Sequence, residues 1–532
     1  MRLLRRCLLG SLAAFVAVGA ADSADLPVKK VAPIEYVRVC SAFGAGFFYI
    51  PGTETCLRVS GRARFEGGYI TAYTRQAGTN SGDTSGYRGL LRFNLDARTQ
   101  TAYGTLRAFV RLDAGSRAGA SGVGRSGTQE RIGLAYAATG VDETGRAQQV
   151  VNVDKAFIQF AGLTAGRAAS FFDFYAHDFE LSSATAGSDV ASTNLFAYTA
   201  TFGNGLSATL SVEDPVFRRT PIFAPSGGAA PVSPVFVGYT RGVPSSFGNI
   251  DTIQRERLPD FVGVLRVDQV WGSAQLSAAT HELNVGNIAL GTGANVSVAH
   301  TNSVQTWAVQ GGLKVNAPFV APGDALYLQA AYGDGAQFYT GYSTFSGSAS
   351  PNAATIQGQT FNQYFSDATI NPFTGQLQTS NSVTAVASYL HYWSPEWRSA
   401  VFGSYGEQSF SRSARLAQGA AFNLLNPNGT NTFSTNAVGV PGTRFYQLSQ
   451  ALRDTYQFVA GASLIWSPVK DLDLGIEGYY TQIGLKSGRA IDLDKSPTAY
   501  ANVAGINAGT FLPRTATQDS VSQVRLRIQR DF

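Results

Sequence analysis

Sulfur and imidazole are scarce in this chain. Its 532 residues hold one methionine, three cysteines and four histidines. The histidines (His177, His281, His300 and His391) are scattered without metal-ligand spacing, so no metal centre is expected. Ser277 and His281 share a strand face, but four residues apart they are too distant for a nucleophile–base contact. The glycine-rich stretch 115–127 lacks the lysine and following helix of a phosphate loop. Catalysis and cofactors therefore have little support. Charge is sparse as well: 14% of residues, with a net value of +5. Removing Arg2, Arg5, Arg6 and Asp22 with an N-terminal leader lowers that to +3, too weak to argue for nucleic acid. Beyond the leader there is no long uncharged apolar run of the kind that crosses a bilayer as a helix.

The leader has a basic start at Arg2, Arg5 and Arg6, then an apolar run from Cys7 to Ala21, too short to span a bilayer. Small residues place cleavage within 20–24, so residues 1–24 are expected to be removed, Cys7 among them. What remains is rich in residues that suit strands and turns and discourage long helices: 58 glycines, 34 phenylalanines and 23 tyrosines. No linker-like shift divides it, and a large barrel is the main architecture that uses so long a chain as one unit. In an exported chain the close pair Cys40 and Cys56 reads as a disulfide rather than two free thiols. Residues 25–56 then form an N-terminal periplasmic segment, and 57–532 the barrel.

Alternation of period two is plain from Leu57 onward. Leu57, Val59, Ala63, Phe65 and Tyr69 face one way, and Arg58, Arg62, Arg64 and Glu66 the other. Arg92, Asn94, Asp96 and Arg98 share the polar face of the next segment, and Arg107, Arg111 and Asp113 that of a third. At the C-terminus Val524, Leu526, Ile528 and Phe532 oppose Gln523, Arg525, Arg527, Gln529 and Asp531. Short turns are expected near 98–103, 161–164, 203–206, 270–273, 316–324, 393–397 and 466–472, with long polar loops between them. Seven turns join fourteen strands, and the first and last make sixteen; a hairpin hidden in 334–381 would make eighteen. Short turns at one end and long loops at the other suit an all-β transmembrane antiparallel barrel with short periplasmic turns and long extracellular loops. Trp271, Trp393, Trp397 and Trp466 lie beside short turns, where an interfacial girdle belongs.

Nine arginines (Arg58, Arg62, Arg64, Arg92, Arg98, Arg107, Arg111, Arg525 and Arg527) fall on the polar face of four strands that become neighbours if the barrel closes. On a lipid face each costs about 2–4 kcal/mol at the midplane, so they are expected to line water.

The segments Asp25-Leu-Pro-Val-Lys-Lys30, Val37–Val59 with its two cysteines, Asp154–Tyr175 and the terminal Phe532 resemble the α-proteobacterial porins of the Brucella and rhizobial type. Arg530 departs from the tyrosine common at the third-last position of outer-membrane strands. The resemblance implies a sixteen-stranded homotrimer in the bacterial outer membrane that passes ions and small hydrophilic solutes by passive diffusion. It also implies contact with outer-membrane lipid, recognition of Phe532 by the barrel-assembly machinery, and a third loop folded into the lumen. That loop, about 172–193, carries Asp173, Asp178, Glu180 and Asp189, with His177 as the counter-charge. Asp173, Asp178 and Glu180 are expected to face the arginine wall across a narrow constriction, giving a transverse field. Two rival readings remain: a solute-specific channel using Phe171, Phe172, Phe174, Tyr175 and Phe179 as an aromatic track, and a surface β-sandwich adhesin.

Overall fold

The structure is a computed structural model. It describes residues 38–70, 85–119, 148–175, 177–188, 192–220, 222, 235–240, 243–250, 254–285, 288–290, 297–298, 302–342, 366–371, 376–417, 442–450, 452–492 and 495–532. The leader, residues 25–37, Asp189 and His300 lie outside that set.

Sixteen strands form the wall: β1 (Cys56–Ile70), β2 (Ser85–Thr101), β3 (Gly104–Gly119), β4 (Gln148–Phe160), β5 (Leu163–Ala168), β6 (Thr193–Gly203), β7 (Leu206–Glu213) and β8 (Asp260–Gln269) make the first half. The second half is β9 (Gly272–Val285), β10 (Asn302–Asn316), β11 (Ala325–Asp334), β12 (Leu377–Tyr392), β13 (Trp397–Phe410), β14 (Thr455–Val469), β15 (Leu472–Leu485) and β16 (Gln518–Asp531). Each pairs antiparallel with its sequence neighbours, and β16 returns to β1 with Arg62 opposite Asp531 and Ile70 opposite Gln523. The seven expected short turns all join neighbouring strands. In the described part of the 334–377 connection the only strand is Ala368–Ile370. It pairs with the start of β12, beyond the reach of β11, and adds nothing to the wall. The count is sixteen.

The apolar faces point outward. Val524, Leu526 and Ile528 are exposed while Gln523 and Arg525, which alternate with them, are buried. Val59, Phe65 and Tyr69 behave likewise on β1, where Glu66 is buried. A sandwich would pack those apolar faces together, so the adhesin architecture is excluded. Trp271, Trp393, Trp397 and Trp466 are exposed at the short-turn rim, where Trp397 and Trp466 stack at 5.8 Å. The fifth tryptophan, Trp307, sits opposite Asp334, toward the other end.

Closure leaves one exposed edge, because β16 ends where Phe532 exchanges backbone hydrogen bonds with Gly61 (2.8 and 3.0 Å). Below that point the edge of β1 is covered by the two-residue strand Phe48–Tyr49, which pairs with Leu57 and Cys56. The Cys40–Cys56 disulfide, sixteen residues apart, ties this segment to the barrel, and Phe47 is buried against it. In the chain-entropy model such a loop contributes about 3 kcal/mol.

The missing side chain of Gly61 makes room for the Phe532 ring. A β-carbon there would collide with that ring and come within 2.7 Å of the Arg92 backbone oxygen. Gly61→Val is therefore expected to lower the yield of heat-modifiable folded barrel several-fold, and deletion of Phe532 is expected to do the same. Normal yields on unheated gels for both variants would show that the seam does not limit assembly.

Candidate functional site

Register places the arginines on one continuous inward stripe. Each inward position of β2 from 88 to 98 carries an arginine or has one directly across. Arg88 stands at the first level, and Arg64 lies opposite Leu90 at the second. Arg62 faces Arg92, and Arg111 faces Asn94. Arg58 lies opposite Asp96, and Arg98 faces Arg107 at the short-turn end. Like charges directly opposite destabilise a sheet unless counter-charges intervene. Here the counter-charges are interleaved. Asp113 accepts two hydrogen bonds from Arg92 (2.8 and 2.7 Å), and Asp96 accepts pairs from both Arg98 and Arg107. Asp531 holds Arg62, and Asp154 lies 3.4 Å from Arg111. Glu66, buried, takes Arg88 at 2.6 Å and also contacts Arg527 and Arg64. Arg525 is buried on the same face. The wall therefore holds the nine expected arginines and Arg88, with five carboxylates among them. Alternation alone marks Arg88, Glu66, Asp96, Asp113 and Asp531 as inward-facing, whereas Asp154 lies at a bulge of β4 that breaks the alternation. Their pairing required the register between strands.

The far side of the lumen differs. Inward positions of β9 to β14 carry many amides and hydroxyls, among them Gln275, Gln310, Gln329, Ser404 and Gln457, all buried. The loop after β5 docks there. Gln310 donates to the Phe172 backbone oxygen at 2.9 Å, and Gln275 donates to the same oxygen at 3.3 Å. The Tyr175 amide donates to Gln329 and the Ala186 amide to Ser404 (2.9 and 2.8 Å). Gly312 leaves room on β10 for the Phe174 ring, which a β-carbon would strike. At its turn the loop reaches across: Glu477 of β15 accepts from the amides of Leu181 and Ser182 (2.6 and 2.9 Å), and Arg527 of β16 donates to the Leu181 oxygen. The segment therefore lies inside the barrel, bound to both walls.

Its acids do not form one rim opposite the arginines. Asp173 is paired with buried Arg218 at 2.8 Å and accepts from Ser188. Asp178 is exposed and bonded to Tyr327 of β11, on the amide-rich side. Glu180 is buried within the loop, where it accepts from Tyr175 (2.9 Å), from the Thr185 amide (3.0 Å) and hydroxyl (2.5 Å), and lies 3.3 Å from His177. The expectation of three acids facing the wall is corrected accordingly: where the loop packs, its buried carboxylates need donors in the protein, and those donors lie beside them rather than across the lumen. Arg218 was not singled out in the sequence, since nothing in its local pattern distinguishes it. It belongs to the β7–β8 connection and lies over the Tyr339 ring (4.2 Å), and the Tyr339 hydroxyl donates to Asp260. Phe172 and Tyr175 are fully buried, so they anchor the loop rather than line a track.

A closed barrel with an apolar exterior and a charged interior is an outer-membrane channel. A family profile described as "Porin subfamily" matches residues 25–511, and the chain belongs to that family of bacterial outer-membrane porins, passive diffusion channels. Porin Omp2b of Brucella canis is 34% identical over 356 residues, covering 62% of this chain and 85% of that protein. Porin Omp2b of Brucella neotomae is 31% identical over 357 residues, with 65% and 78% covered. Among solved structures, the outer membrane channel DcaP of Acinetobacter baumannii matches with a TM-score of 0.48 at 12% identity, over 91% of this chain and 99% of that one. OprB of Pseudomonas putida gives 0.42 at 11% identity, over 90% and 94%.

Glu180 holds the loop in a strained path: His177 and Ser183 adopt φ of 57° and 52°, rarely held by residues with side chains. Burial pushes the Glu180 carboxyl up, but His177 and the Thr185 donors outweigh it and hold the pKa below its ordinary value. A depressed carboxyl pKa stabilises above the unfolded value of about 4.3 and ceases to do so as pH falls through the folded value. Wild-type single-channel current is expected to stay quiet at pH 7 and become noisy only in acid, once pH falls through the lowered folded value. Glu180→Gln should be noisy already at pH 7, having lost charged hydrogen bonds worth roughly 1.5–3 kcal/mol each. Equal noise in both proteins at pH 7 would remove Glu180 from this role.

Proposed function

We propose that the chain acts as a homotrimeric general porin whose third loop sets the narrowest point of each lumen, and that it works without catalysis or cofactor. The observation that carries this reading is the docking of the loop. Its backbone is hydrogen-bonded to side chains of β9, β10, β11 and β13 on one side and of β15 and β16 on the other. Such a segment narrows the lumen while leaving water along the arginine stripe. Ions and small hydrophilic solutes are the substrates, because a charged, hydrated lining resists apolar molecules. The leader is cleaved within 20–24, residues 25–56 remain periplasmic, outer-membrane lipid covers the apolar exterior, and Phe532 is the element that the barrel-assembly machinery recognises.

The solute-specific alternative is weaker, because two of the aromatic residues it needs are consumed in packing: Phe172 lies edge-on against Tyr339 at 4.7 Å, and Tyr175 is tilted against Tyr327 at 4.9 Å. Purified protein in a planar bilayer is expected to insert in discrete conductance steps, ohmic at low voltage, and to migrate as a trimer that heating dissociates. Freeing the loop by Glu477→Ala should raise the unit conductance. A unit conductance unchanged by that substitution would mean that the narrowest point lies elsewhere.

A further inference from the structure

Successive inward residues of one strand are about 6.8 Å apart, so six arginine levels on β2 span about 34 Å, the depth of a bilayer core. The order of burial within this stripe is uneven. The side chains of Arg62, Arg92, Arg98, Arg107 and Arg111 are between 21% and 28% exposed. Their partners Asp96, Asp113 and Asp154 are 10%, 5% and 3% exposed, and Glu66 is 2%. The carboxylates lie at the base, against the sheet, and the guanidiniums lie over them toward water. Asp531 is the exception at 42%. Arg58 is exposed and, among the described residues, has no ion-pair partner.

The loop contributes little negative charge to the same water. Asp173 is neutralised by Arg218, Glu180 is enclosed by its donors, and Asp178 lies on the opposite side beside Tyr327, where Lys314 approaches the same ring at 5.3 Å. A solute passing the loop meets guanidiniums, each with donors left over from its carboxylate, at steps of about 7 Å.

We propose that this stripe is a relay for anions, and that the channel prefers small anionic solutes bearing carboxylate or phosphate groups. The proposal rests on the lumen reading given above. Each of the four levels from 92 to 98 offers an oxyanion one or two planar donors, Arg88 and Arg64 beyond them being only 4% and 10% exposed, and the short step lets it engage the next before leaving the last. That is the condition for binding that speeds conduction instead of trapping the ion. The buried carboxylates fix the arginines in place and moderate the potential, so no single level becomes a sink.

Reversal potentials across a KCl gradient test it. At about 0.1 M salt the wild-type channel is expected to favour chloride over potassium several-fold, and the preference should shrink toward unity at about 1 M, where the Debye length falls from about 10 to about 3 Å. Arg58→Glu, at an exposed and unpaired position, should at least halve the ratio. The double variant Arg62→Gln with Asp531→Asn removes one guanidinium and its partner together, which leaves no buried charge unpaired, and should also lower it. Millimolar inorganic phosphate should reduce the chloride current in the wild type and do so less in both variants. Conductance without anion preference, or a preference untouched by both variants, would overturn the relay while leaving the pore intact. Absence of any conductance would instead overturn the lumen reading itself.

Discussion

Closure of the backbone hydrogen-bond ladder between β16 and β1 is the constraint on which everything else rests. In hydrocarbon no water is present to satisfy an open edge, so a sheet that spans the membrane must return to itself. Once it does, each strand has one face toward lipid and one toward the lumen, and period-two alternation becomes a sorting rule for charge. Ten arginines on the lipid face would cost on the order of 20–40 kcal/mol at the midplane figure for one, beyond the 5–15 kcal/mol that stabilises a typical domain. They must be inside. The seam is correspondingly well furnished: Arg62 with Asp531, Arg64 with Gln529, and Arg527 with Glu66 all cross it. Where β16 stops, the disulfide-tied strand Phe48–Tyr49 takes over the edge.

The lumen is electrostatically one-sided. Arginines and their carboxylates occupy β1 to β4 and β16, whereas amides and hydroxyls occupy much of β9 to β14. This asymmetry decides where a loop can dock. Amide side chains both donate and accept, so they satisfy a loop backbone at small desolvation cost; guanidiniums only donate and are already engaged. The third loop lies accordingly on the amides, joined by Arg218 from the β7–β8 connection and by the one-turn helix Gln337–Thr340, whose Gly341 lies against Gly187. Three connections therefore fill much of one side of the lumen, and the third loop touches the arginine wall at its turn, where Arg527 donates to the Leu181 oxygen.

Much of this was legible in the sequence. The sixteen strands followed from counting turns, because proline, asparagine and glycine at strand ends have strong local preferences. Inward and outward faces followed from alternation, which needs no partner strand. The lumen pairing of Arg92 with Asp113 was not legible, since it depends on register between strands joined by a turn whose bulge-free length was unknown. The loop acids were misplaced for a related reason. Asp173 meets Arg218 forty-five residues away, and Glu180 meets Thr185 only because the loop folds back on itself. Charge count along a loop says how much charge is present, not which way it points.

The central claim is that the third loop is docked along the amide-bearing wall and meets the arginine wall only at its turn. The Ala186 amide and the Ser404 hydroxyl meet at 2.8 Å, so Ala186→Cys with Ser404→Cys places one thiol on each side of that contact. The account predicts that the bond forms spontaneously in the folded, unreduced protein, and that single-channel conductance is the same before and after its reduction. Two cysteines that stay free in the folded barrel, or a conductance that changes when the bond is reduced, would contradict it.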